Sequence, residues 1–327
     1  MTDDGNAPTI PDTAAPTHGA RISHGSTRSP DDDRYVLRHL LGSGGMGEVW
    51  LAHDVRIDRE IAIKMMRSTG DPDAAARFLR EARVQGRLEH PSVVPVHDLG
   101  GAGSAPYFAM KRLTGTTLHD VIAAHDDETW TRRKLLARFA DVCLAIEFAH
   151  KRGVIHRDLK PANIMLGDFG ETYVLDWGLA RIADDDRPAV AGAAPISAIE
   201  TRDLRSDSGS GGHTQAGALL GTPGYMSPEQ MRGEQVDSRT DVYALGLILF
   251  EILTGASAIA RDKPFEITLA TLEFHPAEHR PELDIAPELD ALCARATSAE
   301  RDLRPASARE IADAIQSYLD GDRDLLR

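Results

Sequence analysis

The stretch His156-Arg157-Asp158-Leu159-Lys160-Pro161-Ala162-Asn163 places several polar groups suited to phosphoryl transfer in one short segment. Asp158 can accept a proton from a hydroxyl nucleophile, Lys160 can hold a phosphoryl group, and Asn163 can hold a metal ion. A charged surface turn ending at Pro161 would explain an isolated Arg-Asp pair, but it does not require Lys160 and Asn163 as well. The segment is therefore interpreted as a catalytic loop, and the residues around it decide between the two interpretations.

The composition is that of a globular protein with an acidic charge balance. The chain has 327 residues, of which 42% are hydrophobic, so it can bury a sizeable core in one large domain or two ordinary ones. Acidic residues number 51 and basic residues 37, which gives a formal net charge of -14. This balance disfavours nucleic acid or an anionic membrane surface as the main partner.

Cysteine content and hydropathy predict a compartment. Cys143 and Cys293 are far apart and outside any C-x-x-C spacing, so the sequence supports neither a disulfide framework nor a thiolate zinc site. The N-terminal residues lack a signal-peptide core, and the longest mainly apolar run, Val242 to Leu253, is too short to span a bilayer. We expect a cytoplasmic protein with no membrane segment, and a buried helix at this run.

The chain begins with an arm and continues with strands. Residues 1–33 are rich in Pro, Gly, Thr, Ser and Asp and are predicted to be disordered. A helix from Ala74 to about Leu88 is introduced by Asp71 and Pro72. Short runs of β-forming residues, separated by Gly or Pro, predict a five-stranded antiparallel set: Tyr35 to Leu41, Glu48 to Ala52, Glu60 to Met66, Val93 to Leu99 and Tyr107 to Lys111.

Beyond Thr114 the pattern becomes mainly helical. An apolar stripe predicts an amphipathic helix that leads to the catalytic loop, and it consists of Leu135, Phe139, Val142, Ile146 and Ala149. A small hairpin is predicted from Ile164–Leu166 and Thr172–Leu175, followed by a low-complexity, disordered insertion at 183–213. Further helices are predicted at about 238–254, 265–273, 287–297 and 307–319.

A glycine-rich segment, Leu41 to Val49, contains G-x-G-x-x-G at Gly42, Gly44 and Gly47. In a dinucleotide-binding fold this motif would open a helix, whereas Val49-Trp50-Leu51-Ala52 continues as β-forming residues. No Gly-Lys-Ser or Gly-Lys-Thr follows, which excludes a Walker A loop. The segment is interpreted as a hairpin flap over phosphates, with an ordinary glycine-rich hairpin as the alternative.

Lys64 ends the apolar run Ala62-Ile63-Lys64, where an ammonium group is costly to bury without an anion. A phosphate and a carboxylate would both stabilise it. Glu81, in the middle of the following helix, is the candidate carboxylate, and an ordinary surface glutamate is the alternative. The glycine flap and the loop at Asp158 favour the pairing of Lys64 with Glu81.

These motifs, in this order, resemble the Hanks-type (eukaryotic-like) bacterial Ser/Thr protein kinase family. The resemblance runs from about Tyr35 to about Leu319 and rests on the glycine loop, Ala62-Ile63-Lys64, His156-Arg157-Asp158, Asn163, Asp176, Ser227-Pro228-Glu229 and Arg304. It implies an α+β, two-lobe protein-kinase fold, with a small five-stranded β lobe that carries one helix and a larger, mainly helical lobe. The kinase domain would span 34–320, divided into 34–113 and 114–320, with a C-terminal tail at 321–327.

The resemblance also implies an activity and a site. The protein would be a non-specific serine/threonine protein kinase that transfers the γ-phosphoryl group of ATP to protein hydroxyls, with Mg²⁺ or Mn²⁺. Lys64 would bind the α/β-phosphates and pair with Glu81, Asp158 would be the base beside Lys160, and Asn163 and Asp176 would hold the metal. The ATP-binding residues would be Leu41, Gly42, Gly44, Gly47, Val49, Ala62, Lys64, the gatekeeper Met110, Leu113 and Met165.

Two triplets compete for the metal-binding role. Asp168-Phe169-Gly170 spells the triplet of the family literally, whereas Asp176-Trp177-Gly178 does not. The family places its triplet about a dozen residues beyond the catalytic-loop asparagine, and Asp176 lies thirteen residues beyond Asn163 against five for Asp168. We therefore assign Asp176 to the metal and Asp168 to a turn. We expect the large ring of Trp177 to pack against His156 and to resist flipping out of its pocket.

The resemblance assigns further roles around the loop. Lys160 is typical of Ser/Thr rather than tyrosine kinases. Gly221 to Tyr225 would form the substrate-docking loop, with Thr222 contacting Asp158 and Lys160. Structural roles fall to three residues: Glu229 would pair with Arg304, and Asp241 would hold the catalytic-loop backbone.

A long segment, from Asp176 to Glu229, predicts regulation. It is longer than is usual in the family, and the added closure entropy of a long loop is small. Thr214 lies where relatives are often phosphorylated, and a phosphate there could pair with Arg157. The family also implies a homodimer for autophosphorylation. The alternative function is a pseudokinase, an ATP-binding scaffold that acts by protein contact.

Overall fold

The computed structural model describes residues 34–44, 47–67, 72–101, 105–124, 128–182, 222–259 and 274–325. The small lobe is a five-stranded antiparallel sheet with the strand order β1-β2-β3-β5-β4. Its strands are β1 (Tyr35–Gly44), β2 (Gly47–Asp54), β3 (Arg59–Met66), β4 (Val96–Gly100) and β5 (Tyr107–Lys111). Helix α1 (Pro72–Arg87) packs against the sheet. The predicted sheet and helix are thus confirmed.

The two faces of this sheet bury different residues. On one face, Ile61 and Ile63 of β3 pack with Ala52 and Ala109. On the other, Phe78 of α1 stacks on Phe108, with ring centroids 5.3 Å apart. Successive side chains along a strand point to opposite faces of the sheet, which explains this alternation. Helix α1, which carries Glu81, therefore lies beside β3, which carries Lys64.

The fourth strand begins later than predicted. Val93 forms an isolated parallel bridge with Val174, and β4 starts at Val96. Pro95 explains the delay, because proline has no N–H to donate to a strand ladder. The residues before Pro95 instead connect the small lobe to the large one, since the N–H of Val174 donates to the carbonyl of Ser92 at 2.8 Å.

The large lobe is mainly helical. Its helices are α2 (Leu118–Ala124), α3 (Arg132–His150), α4 (Pro228–Met231), α5 (Ser238–Thr254), α6 (Pro276–His279), α7 (Pro287–Ala296) and α8 (Ala308–Leu325). Short strands complete it: β6 (Gly115–Thr117), β7 (Val154–Ile155), β8 (Ile164–Gly167), β9 (Thr172–Val174) and β10 (Arg181–Ile182). The run Val242 to Leu253 is buried within α5, as predicted.

Some elements differ from the sequence-based expectation. The short elements β6, α2, β7, β10, α4 and α6 were not predicted, since two to seven residues show little periodicity. The final helix α8 continues to Leu325, so the predicted end at 319 was wrong and the predicted tail at 321–327 begins inside it. Gly321 disfavours a helix by only about 1 kcal/mol, which does not end it. The helix packs on α3, where Arg133 donates to the Leu319 carbonyl at 2.6 Å.

Three predicted segments lie outside the described residues. They are the arm 1–33, the insertion 183–213 and the helix 265–273.

Candidate active site

The catalytic loop is held by one buried carboxylate. Asp241, in the first turn of α5, accepts the backbone N–H of His156 on Oδ2 at 2.8 Å and that of Arg157 on Oδ1 at 2.9 Å. Nε2 of His150, at the end of α3, lies 2.7 Å from Asp241 Oδ2. Burial raises the pKa of Asp241, but the hydrogen bond and charge of His150 and the backbone donors outweigh burial and hold the pKa below its usual range.

His156 connects this loop to the segment that carries Asp176. Its Nε2 lies 3.0 Å from the carbonyl of Leu175, while its Nδ1 accepts the N–H of Asp158 at 3.3 Å. Its ring packs against Trp177 with centroids 4.6 Å apart, the packing expected from the sequence. Trp177 is 1% exposed, and its indole N–H points to the Val174 carbonyl at 3.4 Å. That this ring resists flipping stays a prediction.

Two predicted residues, Asp158 and Lys160, contact the hydroxyl group of a third, Thr222. Asp158 Oδ1 accepts both the hydroxyl, at 2.7 Å, and the backbone N–H, at 2.9 Å, of Thr222. Lys160 Nζ donates to the same hydroxyl at 2.5 Å and to Asp158 Oδ2 at 2.8 Å. Asp158 is buried, so these contacts occur where water screens charge weakly. A hydroxyl, a carboxylate and an ammonium group therefore meet at a single point of the loop.

Asn163 completes this cluster. Its Nδ2 donates to the Asp158 carbonyl at 2.9 Å and to Asp158 Oδ2 at 3.3 Å. The amide is thereby oriented with Nδ2 toward Asp158, and its oxygen remains as the atom that can coordinate a metal. Its backbone carbonyl accepts the N–H of Leu175 at 2.8 Å, which brings Asn163 next to the strand end that leads to Asp176.

Asp176 and Asp168 lie in different environments. Asp176 lies two residues after the end of strand β9 and adopts a left-handed φ of 58°, and one of its carboxylate oxygens accepts the N–H of Gly178 at 3.3 Å. Asp168 is exposed in the turn between β8 and β9. Within the described ranges, no three His, Cys, Asp or Glu side chains are arranged to hold a metal. The two oxygen donors of Asn163 and Asp176 suit Mg²⁺, which takes only one or two protein ligands when phosphates supply others.

Lys64 and Glu81 form the ion pair expected across the small lobe. Lys64 Nζ lies 2.5 Å from Glu81 Oε1, and Glu81 is buried. Burial raises the pKa of Glu81, the Lys64 ammonium opposes this rise, and the nearby Asp176 carboxylate adds to it. The second oxygen of Glu81 is buried with no hydrogen-bond partner among the described residues. Asp176 thus lies close enough to the Lys64–Glu81 pair to affect the pKa of Glu81.

The predicted nucleotide-binding residues lie on strands of both lobes. Val49 of β2 is paired with Lys64, and Ala62 of β3 is paired with Met110 of β5. The first two glycines of the flap, Gly42 and Gly44, and Leu41 lie on β1, and Gly47 opens β2; residues 45 and 46 are outside the described ranges. A Cβ at Gly47 would lie 2.2 Å from the Met65 carbonyl, so this position requires glycine. Leu113 follows β5, and Met165 is on β8.

A second ion pair fixes the segment that follows Thr222. Glu229 of α4 accepts both Nη1 and Nη2 of Arg304, at 2.8 and 2.9 Å, and accepts Thr240 Oγ1 at 2.9 Å. Burial raises the pKa of Glu229, but the Arg304 guanidinium outweighs it and holds the pKa below 4.5. Since the folded-state pKa is lowered, the stability that this pair contributes is present above about pH 4.5 and is lost as pH falls through the folded-state pKa.

We expect Glu229→Gln to destabilise the protein by about 3 kcal/mol near neutral pH, the lower end for loss of one partner of a buried pair. The lower end applies because Arg304 keeps its carbonyl acceptors on Ser298 and Arg239. The difference in the free energy of unfolding between this variant and the wild type should decrease in acid, where Glu229 is protonated. Denaturant unfolding at several pH values measures it, with the exposed Glu234→Gln as control; a constant difference across pH would contradict the assignment.

Sequence reasoning missed two positioning residues. His150 stands in no motif of the sequence, yet its ring contacts Asp241, which is 91 positions further along the chain. Gln230 donates to the Arg157 carbonyl at 2.9 Å and forms a capping box with Ser227. The Ser-x-x-Gln spacing at 227–230 was the available signal for Gln230; His150 had none.

The arrangement of these groups matches known proteins. A family model described as the protein kinase domain matches residues 35–314, so the chain belongs to the protein kinase family. The chain is 39% identical over 294 residues to the serine/threonine-protein kinase PknB of Mycolicibacterium smegmatis. The matched region covers 88% of this chain and 43% of PknB. It is also 36% identical over 308 residues to the serine/threonine-protein kinase PknD of Chlamydia trachomatis, and this match covers 88% of the chain and 32% of PknD.

Solved structures agree with these relatives. The PknI kinase domain of Mycobacterium tuberculosis superimposes with a TM-score of 0.61 at 27% identity, covering 87% of this chain and 96% of that one. The two-lobe α+β kinase fold is thereby confirmed. The chain spans less than half the length of the two curated relatives above. Within the described ranges, no helix is both long enough and apolar enough to cross a bilayer.

Proposed function

We propose that the protein is a non-specific Ser/Thr protein kinase that transfers the γ-phosphoryl group of ATP to protein hydroxyls. The observation that carries the proposal is the placement of a threonine hydroxyl 2.7 Å from Asp158 Oδ1 and 2.5 Å from Lys160 Nζ. A general base must lie about 2.6–3.2 Å from the group whose proton it accepts. The loop thus presents a base and a cation to a hydroxyl of the kind that a substrate carries.

The residues divide the reaction between them. Asp158 accepts the proton of the substrate hydroxyl, whose oxygen forms the new bond to the γ-phosphorus as the bond to the leaving oxygen of ADP breaks. Lys160 balances charge on the moving phosphoryl group, and Lys64, held by Glu81, binds the α/β-phosphates. Asn163 and Asp176 would hold Mg²⁺ or Mn²⁺, which supplies neutralisation of phosphate charge when bound.

A pseudokinase is the alternative, and the completeness of the site argues against it. Lys64, Glu81, Asp158, Asn163 and Asp176 are all present, and the Lys64–Glu81 pair is formed. The decisive assay incubates the protein with labelled ATP, Mg²⁺ and a generic protein substrate, with Lys64→Met as control. Phosphoserine and phosphothreonine are expected with the wild type only. Binding of ATP without any transfer would establish the scaffold instead.

Regulation by phosphorylation is part of the proposal. Burial lowers the pKa of Arg157, and the nearby Arg181 lowers it further. Its Nε is buried and has no hydrogen-bond partner among the described residues, which leaves a donor for an anion. Thr214 lies outside those residues and supplies the phosphate in this proposal. We expect Thr214→Ala to reduce activity about tenfold or more when compared with phosphorylated wild type; equal activity would remove this switch.

A homodimer and a cytoplasmic location complete the proposal. Autophosphorylation between two copies needs an interface, and the small lobe has exposed apolar side chains that an interface could cover: Val36, Leu37, Leu40, Val55, Ile57 and Leu99. Cys143 and Cys293 are both free and buried, as suits a reducing compartment.

A further inference from the structure

Gln230, in the short helix α4, uses both ends of its side-chain amide. Oε1 accepts the backbone N–H of Ser227 at 3.0 Å, and Nε2 donates to the carbonyl of Arg157 at 2.9 Å. The two partners fix the orientation of the amide, because an N–H needs an acceptor and a carbonyl needs a donor. The capping box of α4 requires only the oxygen. The nitrogen therefore makes a second contact, with a segment 73 positions away in the chain.

The carbonyl that Gln230 contacts belongs to the peptide bond directly before Asp158. Arg157 has a left-handed φ of 72°, a conformation that residues other than glycine adopt only where their surroundings hold them in it. Asp241 accepts the N–H of Arg157 at 2.9 Å, and His156 Nδ1 accepts the N–H of Asp158 at 3.3 Å. Gln230 adds the donor to the carbonyl. Side chains thus hold both polar groups of the peptide bond that precedes the base.

Helix α4 is itself anchored in the large lobe. Glu229, the residue before Gln230, is 1% exposed and accepts two N–H groups of Arg304. Earlier in the same segment, the hydroxyl and the N–H of Thr222 both contact Asp158 Oδ1. The segment that begins at Thr222 and ends at Gln230 therefore contacts the catalytic loop twice. Thr222 contacts the carboxylate of the base, and Gln230 contacts the backbone that carries this carboxylate.

We propose that Gln230 is a positioning residue for phosphoryl transfer: its amide holds the peptide bond before Asp158 and so sets where the base meets the substrate hydroxyl. The inference rests on the proposed kinase activity and adds to that site a residue outside the catalytic motifs. Misplacement of a catalytic group by about 1 Å can lower a rate by about 100-fold. The loss of one backbone contact at this point is therefore expected to affect kcat.

The test separates the donor of Gln230 from its role in the helix cap. Gln230→Glu keeps an oxygen for the N–H of Ser227 and loses the donor to Arg157, whereas Gln230→Met loses both and adds no charge. Each variant is expected to lower kcat at least about fivefold, the effect of one hydrogen bond. The KM for ATP should change little, because Lys64 binds the phosphates. Gln230→Met should have the lower melting temperature of the two.

These readouts distinguish positioning from a structural role. A role in the cap alone would lower the melting temperature and kcat together in Gln230→Met and would leave Gln230→Glu active. Titration with a fluorescent ATP analogue counts the folded sites, so that kcat refers to folded protein. Gln235→Glu, the same change on an exposed side chain, should keep the wild-type kcat. A loss of less than about fivefold in Gln230→Glu would overturn the inference.

Hydrogen–deuterium exchange tests the same contact without phosphoryl transfer. The backbone amides of residues 156–158 should exchange at least about fivefold faster in Gln230→Glu than in the wild type, because the loop opens more easily. Unchanged exchange would overturn the inference. If the wild type transferred no phosphate while the variant exchanged faster, the proposed kinase activity would fail and the contact of Gln230 with the loop would stand.

Discussion

Replacing Asp158 by asparagine is expected to lower kcat for phosphoryl transfer by about 10²–10⁴-fold. The amide can still accept the N–H of Thr222, which now lies 2.9 Å from Oδ1, so the loop should keep its shape. It cannot take the proton of a substrate hydroxyl, and it removes the anion that Lys160 contacts at 2.8 Å. Steady-state assays with ATP and a generic protein substrate measure the change.

The KM for ATP should change little, because the phosphate contacts of the proposal come from Lys64 and not from Asp158. Asp58→Asn is a matched control, since Asp58 is 94% exposed and has a left-handed φ of 50° that asparagine also accepts. Equal melting temperatures for the two variants would show that Asp158→Asn is folded. If Asp158→Asn kept more than about a tenth of the wild-type kcat, Asp158 would not be the base.

Asp176→Asn should lower kcat by about 10²–10³-fold, the range observed when one group that stabilises transition-state charge is removed. The amount of Mg²⁺ needed for half-maximal rate should also rise, because one charged metal ligand is lost. Titration of Mg²⁺ at fixed ATP separates this effect from a general loss of activity.

Asp168→Asn provides the control for this change, because it makes the same substitution in the triplet Asp168-Phe169-Gly170, whose letters match the family motif. Asp168 is exposed in a turn, so its replacement should leave kcat within about twofold of wild type. If Asp168→Asn lost activity and Asp176→Asn kept it, the two assignments would have to be exchanged. If both variants were fully active, neither aspartate would hold a required metal.

The choice between these triplets shows what sequence spacing can decide. The distance from Asn163 favoured Asp176, and in the structure Asp176 follows β9 while Asp168 lies in the turn before it. Spacing locates the two aspartates because the hairpin is short and its strands have a fixed rise per residue. That Asp176 holds the metal stays a prediction. The amino-acid letters of the motif alone would have assigned the metal to Asp168, in the exposed turn.

Other parts of the site depended on packing between distant segments. The sequence indicated that Asp241 holds the catalytic loop, but not that His150 contacts the same carboxylate at 2.7 Å. The approach of α3 to the β8–β9 hairpin was equally hidden, since residues such as Arg138 and Asp168 come to line one cavity only in the folded lobe. Local periodicity has no information on such contacts, which depend on how helices and strands pack.

By itself, the sequence determined the family resemblance, the order of the catalytic motifs, the five strands of the small lobe and the approximate positions of the long helices. These features follow from local chemistry: glycine where backbones approach, β-forming runs, helical periodicity and fixed motif spacing. Only the tertiary structure decided how far α8 extends and which residues support Asp241. Those outcomes depend on burial and on side-chain contacts between residues far apart in the chain, and neither is encoded in any single segment.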